Sequence, residues 1–177
     1  MGYIMASTGE NFPLTAYLPF VAAVAERGNH RQIYEANRHR VYSLCFWMTD
    51  NELVAEDLAE RTFRQAFAKH RNPASENIDL ALIAELRQSI SLGTLSLQCG
   101  ICAEAPSVRS NTLRVDLERA VVQLPPTERL VFLLHDVEGY EHARVARYLD
   151  LTCAQSQSAL HEARLRIRQL LAQRPSK

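Results

Sequence analysis

Lysine is nearly missing from this chain of 177 residues: of twenty basic side chains, only Lys69 and Lys177 are not arginine. Arginine suits planar, bidentate contacts with carboxylates and phosphates, although an arginine-rich coding bias produces the same skew. Net charge is missing too, because twenty Lys+Arg oppose twenty Asp+Glu and the pI is near 7.0. Overall charge therefore gives no reason to expect binding to DNA, RNA or acidic lipid, and any such claim must rest on local patterning. No apolar run approaches the roughly 18 residues of a membrane span, and residues 1–11 lack a basic segment followed by an apolar one. A cytoplasmic, soluble protein is expected. Cysteine is limited to four residues, read as reduced thiols rather than a disulfide framework. Cys45 and Cys153 fall in helical patterns, while Cys99-Gly100-Ile101-Cys102 has the spacing of half a zinc site or a redox pair but has no second such pair and no nearby histidine.

Catalytic signatures are equally scarce. His30, His39, His70, His135, His142 and His161 are scattered, no HExxH occurs, and no glycine-rich phosphate loop is present. His135-Asp136 ends an apolar helical pattern, which suits a helix-terminal histidine better than a general base. No catalytic activity, metal or cofactor is expected. No β-alternation extends beyond a few residues and no internal repeat exists, so the fold class is all-α.

What remains is helical periodicity. Asn29 reads as an N-cap, followed by Ile33, Asn37, Val41, Leu44, Cys45 and Met48 at three- and four-residue spacing. Thr49-Asp50-Asn51-Glu52 has the form of a capping box ahead of a second stripe of Leu53, Val54, Leu58, Phe63, Ala66 and Phe67. Asn72-Pro73-Ala74-Ser75 breaks the pattern, and Asn77 is placed to cap a third helix carrying Leu80, Ile83, Ala84, Leu86 and Ile90, ended near Gly93. Periodicity is poor over 94–112, which reads as a linker. The predicted organisation is an N-terminal extension at 1–28, with a short accessory helix after Pro19, then a helical domain at 29–93, the linker, and a second helical domain at 113–177. Net charge divides mildly along the same line, −3 up to Ala105 and +3 beyond it.

In the second half a fourth helix carries Leu113, Leu117, Ala120, Val121 and Leu124. Pro125-Pro126 stops it and starts a fifth that buries Leu130, Val131, Leu133 and Leu134. Glu138-Gly139 ends that helix, a short sixth runs from Glu141 to Leu149, and Thr152-Cys153-Ala154-Gln155 is a capping box for a last helix reaching about Gln173. A short helix, a tight turn and a longer helix is the plan of a helix-turn-helix, with Ala146 small where the two helices approach. In that plan Gln155, Gln157, Ser158 and His161 meet base edges, while Arg164, Arg166 and Arg168 suit phosphates. A solvated helix face in an ordinary bundle explains the same pattern.

Three segments, Ile33-Tyr34-Glu35, Arg40-Val41-Tyr42-Ser43-Leu44 and the run from Ala55 to Phe67 (AEDLAERTFRQAF), resemble the second region of the extracytoplasmic-function sigma factors of bacterial RNA polymerase. The run from Leu124 to Leu134 (LPPTERLVFLL), Val137-Glu138-Gly139-Tyr140 and the run from Ser158 to Arg164 (SALHEAR) are similar to that family's fourth region, in the same order and separation. The resemblance implies two small helical domains, a region 2 bundle and a region 4 helix-turn-helix, joined by a flexible linker. It implies core RNA polymerase, promoter DNA and an anti-sigma factor as partners. By position, Glu56, Asp57, Leu58, Thr62 and Phe63 match the helix that docks on the polymerase clamp. Residues 78–97 match the stretch that captures the start-proximal promoter element, and 155–166 the helix that reads the upstream element.

Departures from the family pattern accompany the resemblance. Residues 78–97 hold Arg87 as their sole basic side chain and no aromatic, with Asp79 and Glu85 besides, whereas melting needs stacking surfaces and cations. Arg144 stands where Glu is usual, Asp150 where a turn glycine is usual, Gln157 where Lys is usual, and Ala159 and Glu162 where polar or basic residues are common. Asp150 is tolerable because Asp enters left-handed backbone more readily than most residues. Two functions stay open at this point: an alternative sigma factor directing polymerase to promoters, and a sigma-like decoy or partner switch that no longer opens them. Cys99 and Cys102 sit on the linker, where oxidation is expected to stiffen the hinge.

Overall fold

The computed structural model describes residues 18–90, 92 and 113–173, with side chains from residue 29 onward. The linker, Gly93, Cys99, Cys102 and the beginning of the N-terminal extension lie outside the described residues. Every regular element among the described residues is helical: α1 (Leu18–Thr49), α2 (Glu52–Lys69), α3 (Ser75–Ser89), α4 (Arg114–Val122), α5 (Pro126–Phe132), α6 (His142–Leu149) and α7 (Cys153–Ala172). The all-α class is as expected.

The helix starts differ from the sequence reading in three places. α1 runs unbroken through position 29, so it begins eleven residues before the expected start, and Pro19 lies in its first turn, where a missing N–H costs nothing. Asn29 is no cap; its amide donates to Asn72 Oδ1 at 2.6 Å and ties α1 to the α2–α3 loop. At the next corner the cap is Asn51, whose Oδ1 accepts from Val54 N at 3.1 Å. Thr49 instead closes α1, donating Oγ1–H to Cys45 O at 2.9 Å, and Asp50 makes the corner in left-handed backbone at φ 52°. Asn77 sits inside α3 and works backwards, accepting from Ala74 N at 2.9 Å. In all three the tight connection, rather than residue type alone, chose which polar side chain meets the free amides.

The apolar stripes bury as a helical period requires. Val41, Leu44, Cys45, Ala55, Leu58, Ile78, Leu82 and Leu86 fill the space among α1, α2 and α3, each at most 2% exposed. Tyr34 meets Phe63 edge-on at 4.8 Å between centroids, and Phe63 stacks with Phe67 at 6.3 Å. Leu53, Val54, Leu80, Leu113 and Leu117, expected in the stripes, are exposed instead; Leu53 and Val54 occupy the first turn of α2.

In the second half Leu124, Leu130, Val131, Leu133, Leu134, Val145, Leu160 and Ala163 form the core, with α7 packed against α4, α5 and α6. Pro126 opens α5, and the helix widens into a π turn over Leu133–Val137 before Gly139 ends it at φ +73°. Arg129 fixes the α4–α5 corner: its guanidinium donates to Val122 O and to Leu124 O. The same guanidinium donates to Met48 O at 3.1 Å, at the end of α1. The two helical groups are thus in contact. The end of α1 faces α4 and α5, α3 faces α6, and the buried side chains of both groups form one continuous cluster.

Candidate functional site

The helix-turn-helix forms as the sequence predicts. α6 ends at Asp150, which takes left-handed backbone at φ 58°, ψ 45°, and its N–H still reaches Ala146 O. Leu151 N donates to the same carbonyl at 2.9 Å, so the turn closes on a residue that is small and 4% exposed. Thr152 then caps α7: its Oγ1 accepts from Gln155 N at 3.1 Å, while Gln155 Oε1 accepts from Thr152 N at 2.8 Å.

On α7 one face carries Ser156, Ala159, Leu160, Ala163 and Ile167, all buried. Ala159 is therefore a packing residue, and its small size is no lost phosphate contact. Gln157, Ser158, His161 and Arg166 are exposed, whereas Gln155 and Glu162 are partly covered along the flank of the helix. Gln155 has its amide oxygen committed to the cap, and a bidentate adenine contact needs both amide atoms. Arg164 is exposed but paired, donating Nε and Nη2 to the two oxygens of Asp136 at 2.9 and 2.6 Å. That hydrogen bond raises its pKa, aided by the Asp136 charge and opposed by burial.

Behind α7, His142 Nδ1 lies 3.0 Å from Ser156 Oγ and the His142 ring stacks on His135 at 4.2 Å. Burial lowers the pKa of His142, and the charges of His135 and Arg164 lower it further. This pair orients the start of α6 against α7.

On α2, the five residues matched to polymerase docking divide by exposure. Glu56 and Asp57 are exposed, and Asp57 makes only an i,i+4 pair with Arg61 at 3.3 Å. Leu58 and Thr62 are fully buried, with Thr62 Oγ1 donating to Leu58 O at 2.8 Å, so they shape the helix from beneath rather than face a partner. Phe63 floors a groove of about 670 Å³ between α1 and α2, lined also by Tyr34, Arg38, Tyr42, Glu56 and Glu60.

The cluster that sequence reasoning missed surrounds Asp79. Its carboxylate, 3% exposed, accepts from Arg40 Nη1 at 2.5 Å and Arg144 Nη2 at 3.0 Å. It also accepts from Tyr140 OH at 2.8 Å and Tyr148 OH at 3.2 Å. The Arg144 guanidinium lies over the Tyr140 ring, 4.0 Å from its centroid. Burial acts to lower the pKa of Arg40, but the hydrogen bond and charge of Asp79 outweigh it and the net shift is upward. Burial raises the pKa of Tyr140, and its hydrogen bond to Asp79 raises it further. Two signals were available: an aspartate in the buried register of α3 beside Ile78 and Leu82, and an arginine at 144 where the resembled family has Glu. Arg87, expected at DNA, donates to Tyr148 O at 3.3 Å along the same seam.

Comparison with known proteins places this geometry. The family described as Sigma-70, region 4 matches residues 114–167, which are α4 through most of α7. An all-α chain with a sigma-70 region 4 helix-turn-helix is thereby defined. It is similar to the ECF RNA polymerase sigma factor SigE of Mycolicibacterium smegmatis, 26% identical over 161 residues, covering 82% of this chain and 62% of that protein. The chain thus spans less than two thirds of the length of that relative. The fold also matches RpoE of Bartonella quintana, solved in complex with the anti-sigma factor NepR, with a TM-score of 0.62 and 18% identity over 82% of this chain and 98% of that one. The family match is thus confined to α4 through most of α7, and over 82% of its length the chain is similar to an extracytoplasmic-function sigma factor.

Proposed function

We propose that this chain binds core RNA polymerase and directs promoter-specific initiation, with α7 reading the upstream promoter element and the acidic start of α2 docking on the polymerase. The observation that carries this reading is the match of the region 4 family to a helix pair whose second helix is doubly capped and leaves Gln157, Ser158 and His161 exposed. A recognition helix presents such residues near its N-terminus to base edges in the major groove. Arg164, Arg166 and Arg168 supply cations along the same helix for phosphates, with Arg164 sharing its charge with Asp136.

Glu56 and Asp57 offer carboxylates beside an aromatic groove, the composition that complements a basic, partly apolar coiled coil. Under this reading the two helical groups act as separate promoter-binding domains, and the protein performs no catalysis of its own, the chemistry belonging to the polymerase. Its partners are core polymerase, promoter DNA and an anti-sigma factor, and it works in the cytoplasm. Among the described residues no helix is long and apolar enough to cross a membrane.

The test is abortive transcription with purified core polymerase on a library of upstream fragments from the source genome. Products that require the protein, share a pair of promoter elements and fall at least tenfold with Asp57→Arg establish the function. Asp57 is exposed and pairs only along its own helix, so that substitution leaves the fold intact. Core binding without any product replaces the proposal with the decoy or partner-switch reading.

A further inference from the structure

The contact between the two helical groups adds a polar seam, which neither core has, to the apolar cluster and the Arg129–Met48 bond that the halves share. Across the seam between α3 and α6 the donors are Arg144, Tyr140 and Tyr148 from the second half, with Arg40 from α1, and they converge on the single buried carboxylate of Asp79. At its rim Arg147 Nη2 meets Glu76 Oε1 at 2.6 Å, both side chains about half exposed. Charged and phenolic groups fix one register strongly, since a buried carboxylate is satisfied only by donors in the right places. They also resolvate when parted, which offsets part of the cost of exposing the apolar surface the halves share, so such a seam can open while the helices packed within each half stay together.

We infer that Asp79 is an intramolecular latch, holding the chain in a closed form in which α6 covers α3 and the two halves cannot engage separate promoter elements. This inference rests on the proposed promoter function. The closed form leaves the reading face of α7 open, because Gln157, Ser158 and His161 stay exposed, while α3 and Arg87 are held against α6. Closure therefore blocks the start-proximal contact and permits the upstream one. The arginine at 144 is what makes the latch: a Glu there faces the Asp79 carboxylate with like charge.

The full chain tests this with two kinds of variant. Arg144→Glu removes one donor, sets a carboxylate against Asp79 and shifts the closed–open equilibrium by on the order of 100-fold. At the rim, Arg147→Glu opens the seam less and Glu76→Arg in the same chain restores it, a reversal that misfolding does not produce. X-ray scattering reads the compact state, with a radius of gyration of about 16 Å for a folded chain of this length, and hydrogen exchange reads protection on α3 and α6.

Expansion with loss of protection along the facing surfaces, α3 with α6 and the end of α1 with α4 and α5, in Arg144→Glu, with recovery in the Glu76→Arg/Arg147→Glu pair, supports the latch. Unchanged scattering and exchange in Arg144→Glu overturn it. Abortive transcription then separates latch from function: higher product from the opened variants supports gating, and equal product from open and closed chains overturns gating. Opening without product from any variant, wild type included, supports the latch while refuting the sigma-factor reading on which its purpose rests.

Discussion

Gln155 is asked to do two incompatible things, and substitution there separates them. Its Oε1 accepts from Thr152 N at 2.8 Å, one half of the reciprocal cap on α7. Gln155→Ala deletes that bond at a partly exposed site, which costs about 0.5–1.5 kcal/mol. Thr152→Ala deletes the other half and costs about 0.5–2 kcal/mol. The double variant costs less than the sum, because each bond holds the partner of the other in place. Gln155→Glu keeps the acceptor and adds a negative charge at the positive end of α7, for a gain of about 0.3–1 kcal/mol. For a chain of this length each kcal/mol moves the thermal midpoint by about 2–4 °C, so the Ala and Glu variants separate by several degrees in opposite directions. Urea titration followed by helical circular dichroism measures the same ordering. On DNA the order changes: Gln155→Ala keeps sequence preference once folded, whereas Gln157→Ala, whose amide is free, loses about 1–3 kcal/mol of base discrimination. If Gln155→Ala and Gln155→Glu lose stability equally, the cap does not operate and the assignment of Gln155 to structure rather than readout is wrong.

Three other perturbations have definite outcomes. Leu58→Ala removes a fully buried side chain beneath the proposed docking helix and lowers unfolding free energy by about 2–5 kcal/mol; denaturant midpoints show this, and a loss of polymerase binding without it would place Leu58 at the partner instead. Burial pushes the Cys45 thiol up to about 12, with Arg61 pulling the other way. Peptide mapping after iodoacetamide at pH 8 therefore finds exposed Cys153 alkylated and Cys45 spared, and rapid modification of both contradicts the packing. His142, held below the ordinary histidine range by burial and by His135 and Arg164, binds its proton less readily folded than unfolded. Stability from this group is present above the unfolded value of about 6.5 and is lost as pH falls through the lower folded value. Nuclear magnetic resonance titration finds His142 below that reference and His135→Asn moving it upward; no movement removes the stacked pair as a cause.

Much of this protein was legible in its sequence because the information is local. A helical period needs only neighbours three and four residues apart, so the stripes through Leu44, Leu58, Leu130 and Leu160 declared their helices. Thr152-x-x-Gln155 declared the cap of α7, Pro126 the start of α5, and Asp150 the turn. Capping at tight corners was less legible: which of Thr49 and Asn51 meets the α2 amides depends on where α1 stops and on the left-handed corner at Asp50. The same limit hid the exposure of Leu53 and Val54. The residues matched to polymerase docking could be named from the run between Ala55 and Phe67, but a string cannot say that Leu58 and Thr62 point inward while Glu56 and Asp57 point out.

Sequence by itself determined the helices, most of their ends, the helix-turn-helix and the resemblance, since periodicity, caps and ordered motifs are written within short stretches of chain. Only the tertiary structure decided what Asp79 does. It read as an acid misplaced in a DNA-facing stretch, yet its donors come from positions 40, 140, 144 and 148. A carboxylate's meaning is set by the charges within a few ångströms of it, and those arrive from distant parts of the chain only when the two halves fold against each other.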